Sequence, residues 1–238
     1  NLHNSNIIER VQAIHSLSQK CPNIARLSLC QFFPEEEATE QQCLIEGSGL
    51  RDIDLYGNYF WQPPTLPLTL CSLRLSVTGQ ENVHQLLTSL QQQTKLVNIH
   101  LQLQCFEEDA HSIENANTFL YKFLRIMGSK ITRLHIAVQR LCDSVMLLIA
   151  SQLPNLSHLA LDARSLVDLE TSHMSSSVDD RFLVLLAKNC KLLQTVNFNG
   201  CKWVTDKGLA GLARNKRLRE VRIRGTSCTD KSLYSLAQ

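Results

Sequence analysis

Three histidines, His100, His135 and His158, fall on three successive aliphatic-rich segments of the chain. Imidazoles on neighbouring strands stand about 5 Å apart, near enough to share a metal ion or a proton. No carboxylate pair or thiolate joins them at ligand spacing, so solvated histidines in a mildly pH-sensitive contact are expected, and no metal. The nine cysteines are scattered without a CxxC or CxxxC pair. That spacing suits neither zinc nor a disulfide framework and points to reducing surroundings, cytoplasmic and/or nuclear. HExxH, GxSxG and phosphate-loop motifs are absent, so the chain reads as a non-enzyme without cofactors.

Charge offers more than catalysis does. Residues 202–231 hold nine Lys/Arg against Asp206, Glu220 and Asp230, a local net charge of +6, whereas residues 1–60 carry −4 and the whole chain only +2. Arginine pairs bidentately with carboxylate or phosphate, so Arg222 and Arg224 suit an acidic or phosphorylated protein segment. The basic run lacks an interleaved aromatic platform, which disfavours nucleic acid. Aromatics gather elsewhere, in Tyr56-Gly-Asn-Tyr59-Phe60-Trp61-Gln-Pro63-Pro64. Tyr59, Phe60 and Trp61 either fill the gap left by a convex helix that two prolines forbid or stand exposed as an interface anchor.

The elements that position these residues follow from a repeat. Apolar residues make up 44 % of the 238 positions and charged residues 19 %, enough for a sizeable core. Leucine supplies 40 positions and aromatics only 6 %, which suggests many small similar layers. The pattern L-x-x-L-x-L, with other aliphatics allowed, starts at Ile24, Leu50, Leu70, Leu96, Ile131, Leu156, Leu193 and Leu218. Its spacings are 26, 20, 26, 35, 25, 37 and 25 residues. Each x-L-x-L-x piece is a short strand with alternate residues inward, and the return between strands buries its own leucines against them. Val83-Leu86-Leu87-Leu90, Phe119-Leu120-Phe123-Leu124 and Val145-Leu148-Ile149 have helical spacing for such returns. The expected fold is an α/β leucine-rich-repeat solenoid (a horseshoe). A parallel sheet lines its concave side, and its convex side is mainly helical. One domain of about eight repeats spans 1–238, with insertions near 104–120 and 164–178. The chain begins at Asn1 without Met or a charged-then-apolar leader, and reads as a fragment of a longer protein. No apolar run approaches the roughly 20 residues that span a bilayer, so no membrane is expected.

The C-terminal third is more specific. Cys190-Lys-Leu-Leu193-Gln-Thr-Val196-Asn-Phe198-Asn-Gly-Cys201-Lys-Trp-Val204-Thr205-Asp206-Lys-Gly-Leu209-Ala-Gly-Leu212-Ala213 resembles the cysteine-containing leucine-rich repeat of F-box proteins and their relatives. Val178-Asp179-Asp180 and Cys228-Thr229-Asp230 repeat its helix entry, so the close likeness covers about residues 178–238. In these entries the Asp, or the Thr before it, suits a helix N-cap. Repeats two to five lack the entry, and no F-box lies within the chain. The resemblance implies a protein-interaction module serving substrate recognition in a cullin-type ubiquitin ligase, with the ligase adaptor bound only through sequence outside this chain. The alternative is a scaffold or assembly subunit of a constitutive complex.

Binding residues are expected at the x positions of the strands. The candidate set is Asp54, Arg74, His100, His135, Thr195, Asn197, Asn199, Arg222 and Arg224, a polar surface of mixed charge. The serine-rich stretch of 164–177 reads either as a solvated loop or as a contact or phosphorylation loop.

Overall fold

Alternating aliphatics make eight short strands where the repeat places them: β1 (Arg26–Ser28), β2 (Asp52–Leu55), β3 (Ser72–Val77), β4 (Asn98–Leu103), β5 (Arg133–Ala137), β6 (His158–Asp162), β7 (Thr195–Asn197) and β8 (Glu220–Arg222). The helices are α1 (Val83–Gln92), α2 (Ala110–Met127), α3 (Asp143–Gln152), α4 (Asp180–Asn189), α5 (Asp206–Leu212) and α6 (Lys231–Leu236). The computed structural model describes residues 9, 12–14, 16, 17, 20–30, 44–58, 62–77, 83–103, 110–138, 141–162 and 178–237. The acidic stretch after Pro34, residues 104–109 of the first insertion and 164–177 of the second lie outside the described residues. The chain forms two units, residues 1–104 and 105–238.

In the first unit β1 to β4 are parallel neighbours in sequence order. The register matches leucine to leucine, with Leu27, Ile53, Leu73 and Ile99 in one row and Leu55, Leu75 and Leu101 in the next. From β2 on these side chains are buried, packed with Leu86, Leu87 and Leu90 of α1. Each fully buried aliphatic contributes roughly 1.5–3 kcal/mol, so stacking rows of them supplies most of the cohesion. Between β2 and β3 the described residues hold no helix. Pro63, Pro64 and Leu66 are buried there, and Leu44 bridges Thr65. Asn58 is fully buried and donates through Nδ2 to the Leu29 carbonyl, 2.6 Å, tying the second repeat to the first.

The second unit repeats the scheme with more helix. Strands β5 to β8 are again parallel, with Leu134, Leu159, Val196 and Val221 in one row. Helices α2 to α6 pack successively against one another. Helix α2 carries Phe119, Leu120, Phe123 and Leu124 to the core, and α3 carries Val145 and Ile149. The polar stretch from Ala110 to Asn117 is the first part of α2, and Asn117 is itself buried, its Oδ1 accepting from the Cys142 N–H at 2.8 Å. Cys190 and Cys201 are small core residues, 0 % and 3 % exposed. Burial pushes their thiols up to about 11 and about 12, with Asp162 adding to the rise at Cys201. Both units are leucine-rich-repeat folds of the α/β class.

The helix entries show how successive repeats are joined. Asp179 caps α4 by accepting from the Arg181 and Phe182 N–H groups, and Thr205 caps α5 by accepting from Lys207 N–H. The residue after each cap does something else. The Asp180 carboxylate accepts the Thr205 N–H at 2.8 Å and its hydroxyl at 2.7 Å. Asp206 takes the Thr229 N–H at 2.8 Å and its hydroxyl at 2.6 Å, and also accepts from the Ser232 hydroxyl. Ser232, Thr229 and the Thr229 N–H together hold the Asp206 carboxyl down to about 2. Each cap thus closes its own helix while the next residue clamps the cap of the following repeat.

Candidate interaction surface

The alternation that buries the leucines turns the x residues outward, and the register aligns them. In the second unit Arg133, His158, Thr195 and Glu220 form one row, and His135, Ala160, Asn197 and Arg222 the next. His158 therefore sits beside Arg133, in a different row from His135. Its Nδ1 lies 2.7 Å from the Ser157 hydroxyl. Partial burial and the Arg133 charge lower its pKa below the ordinary histidine value, with Glu220 opposing. Among the described residues no group of three His, Cys, Asp or Glu side chains could hold a metal ion.

Arg222 and Arg224 both stand exposed at the last strand. Arg222 Nε pairs with Glu220 Oε1 at 2.6 Å, with both side chains about half exposed or more. An exposed pair of this kind is worth about 0–1 kcal/mol, so the guanidinium remains open to a competing acid. Arg224 is placed by its backbone, because its N–H donates to Asn199 Oδ1 at 2.8 Å and its carbonyl accepts from Gly200 N–H at 2.8 Å. Asn197 Oδ1 in turn accepts the Asn199 N–H at 3.0 Å. Gly200 makes this turn with φ +81, a left-handed conformation that glycine adopts without a Cβ penalty. The two asparagine carbonyls thus build the turn that presents Arg224. Thr195 pairs with Glu220 one row over.

The first unit differs. Ser28, Asp54, Arg74 and His100 share a row. There Arg74 lies 3.5 Å from Asp54 Oδ2 and stacks over the Tyr56 ring with its guanidinium carbon 4.2 Å from the centroid. Arg26 faces Asp52 at 3.8 Å. Positive charges here meet acids of the adjacent strand. In the second unit the exposed Lys216, Arg217, Arg219, Arg222 and Arg224 follow one another closely, with only Glu220 among them. Tyr59, Phe60 and Trp61 lie outside the described residues.

One exposed aromatic escapes the repeat pattern. Trp203 is 61 % exposed. Its neighbours are pinned by the next repeat: Ser227 Oγ donates to the Lys202 carbonyl at 2.6 Å, and Ser227 N–H to the Val204 carbonyl at 3.0 Å. The signal was present in the sequence, since Trp203 occupies a loop slot between the buried Cys201 and Val204.

No protein-family model matches the chain, and no curated protein matches it. Among solved structures, an internalin (inlF) from Listeria monocytogenes str. 4b F2365 is similar at 13 % identity and a TM-score of 0.26, over 98 % of this chain and 92 % of that one. The class follows from the chain's own strands, register and buried rows. Each unit is an α/β leucine-rich-repeat fold.

Proposed function

We propose that the protein is a non-enzymatic interaction module that recognises an acidic or phosphorylated protein segment on the outward face of the second unit. The supporting observation is the placement of Arg222 and Arg224 on β8 and the turn after it, both exposed, with the Arg224 N–H held by Asn199. Planar guanidinium groups at that site pair with carboxylates or phosphates, while Asn197 and Thr195 offer polar contacts on the adjacent strand and His135 stands further along the Arg222 row. Trp203, exposed in the loop that leads into α5, is of a residue type enriched at interface anchors. In the first unit Asp54, Arg74 and His100 form a polar row of their own.

The biological setting we favour is substrate recognition in a cullin-type ubiquitin ligase, in the cytoplasm or nucleus. It rests on the Cys190, Cys201 and Thr205-Asp206 pattern, which resembles the repeats of F-box proteins. In that setting the chain holds its client near the ligase and orients a lysine, and the chemistry belongs to other subunits. Affinity capture decides the matter. The full-length protein should bring down a cullin and its adaptor while residues 1–238 alone should not. A full-length protein that captures neither belongs to a scaffold without ligase function.

A further inference from the structure

Helices α3, α4 and α5 are entered at Cys142, Asp179 and Thr205. Counted from those entries, the third, fourth and seventh residues are buried in all three helices, as the repeat requires. The second, fifth and ninth fall on the opposite face, because steps of three and four residues return to one side of a helix. A solvated face would be polar throughout. The fifth residues are instead Leu147, Val184 and Ala210, all exposed, the first two at 57 % and 43 %. One exposed aliphatic is ordinary, but three at the same position of successive helices make a row. The row is close-set: a Cβ on Gly211 of α5 would lie 2.5 Å from Val184 Cγ2. Cations frame it on both sides. The second residues of α4 and α5 are Arg181 and Lys207, and the ninth are Lys188 and Arg214, all exposed. The acids nearby are engaged within the fold. Asp180 and Asp206 hold Thr205 and Thr229, while Asp179 caps α4 and meets Arg181 at 2.7 Å, leaving that arginine side chain 84 % exposed. Among the described residues of the three helices, Asp143 at the start of α3 is the only exposed acid.

We propose that the outer face of α3, α4 and α5 is a docking surface for an amphipathic helix of a partner protein, with acids on both flanks of its apolar stripe. Charge complementarity and dimensions carry the assignment. The two cation rows are seven residues apart along each helix, about 10 Å, and an α-helix with its side chains is about 10–12 Å across. Long Lys and Arg side chains therefore stand on either side of the short Val184 and Ala210, and a helix laid along the row meets cations on both flanks. Packed helices lie about 8–10 Å apart, close to the rise of two helical turns, so apolar residues seven apart on the partner fall on successive helices of this unit. A second copy would set cations against cations. A flat anionic lipid surface has no need of rows spaced one helix apart. The site is separate from the acid-binding residues Arg222 and Arg224 of the strand face.

The test titrates the 238-residue chain with a labelled peptide of about 18 residues, about 27 Å long as a helix. Its leucines recur at steps of three and four, with glutamates on both flanks. The control peptide has the same composition in an order that breaks the apolar stripe. The patterned peptide should bind at least about tenfold tighter than the control and gain helical circular dichroism on binding. Leu147→Ser with Val184→Ser, and separately Lys188→Glu with Lys207→Glu, should each weaken it at least about fivefold while the protein melts as wild type. Arg222→Glu with Arg224→Glu should change it less than about twofold. Equal affinity for the two peptides overturns the proposal, as does binding indifferent to Leu147 and Val184. A loss at Arg222 and Arg224 as large as that at Lys188 and Lys207 would also overturn it, since the peptide would then be reading positive charge alone. Vesicles of phosphatidylserine and phosphatidylcholine that bind through Leu147 and Val184 more tightly than the peptide does would give this face to a membrane instead. A dimer in sedimentation that Leu147→Ser with Val184→Ser dissolves would give it to a second copy. Either result contradicts a partner helix.

Discussion

Glu220 is the residue that most directly modulates the proposed contact. It stands two positions from Arg222 on the same strand, and residues i and i+2 share a face, so their 2.6 Å pairing follows from the pleat. An incoming carboxylate must displace it. Glu220→Ala should therefore tighten binding of an acidic peptide about two- to fivefold, as titration calorimetry would read. Unchanged or weaker binding would mean that Arg222 is not a contact. The cysteines test the core at the same scale. Cys190 and Cys201, held protonated by burial, should react with a thiol reagent only as fast as the protein opens, while exposed Cys21 and Cys30 react at once. Rapid labelling of all four would contradict the packing described.

The helix entries carry the element-scale energetics. Gly208 lets α5 approach α4 so closely that a Cβ there would lie 3.0 Å from Asp180 Cα and collide with its carboxylate. Gly208→Ala gains about 1 kcal/mol of helix propensity, yet the clash with the clamp should outweigh it, for a net loss of roughly 1–2 kcal/mol in urea unfolding. A stabilised variant would show the approach to be looser than this. Asp206 adds a pH dependence. Its folded pKa, about 2, lies below the ordinary carboxylate value, so its contribution is present above about pH 4 and is lost as pH falls toward 2. Asp206→Asn should flatten that part of the acid-unfolding curve and leave the slope above pH 5 unchanged. Strand positions and rows were legible in the sequence because period-two leucines recur eight times and register follows from them. The clamps were not. Thr205 and Asp206 each satisfy a local capping rule, and nothing local distinguishes a cap from a bond reaching 25 residues back to Asp180. Asn58 was equally hidden, since only the neighbouring repeat decides that it is buried.

At the scale of the whole molecule, charge selects the surface. The first 60 residues carry −4 and residues 202–231 carry +6. In the first unit the outward arginines Arg26 and Arg74 face acids, whereas the arginines around β8 outnumber theirs. Exposed charges are screened beyond about 8 Å at physiological ionic strength, so recognition through this end should speed up as salt is lowered. The most direct test titrates a fluorescent glutamate- and phosphoserine-rich peptide into three proteins at fixed ionic strength: wild type, Arg222→Glu with Arg224→Glu, and Lys207→Glu with Arg214→Glu. Both variants carry their changes at exposed positions, and the last pair lies on and just after α5. Reversal at β8 should weaken binding at least about tenfold while circular dichroism and melting stay those of wild type. Reversal at α5 should cost less than about twofold. If the α5 pair proves the more damaging, the partner docks on the helices and the outward strand face is not the binding surface.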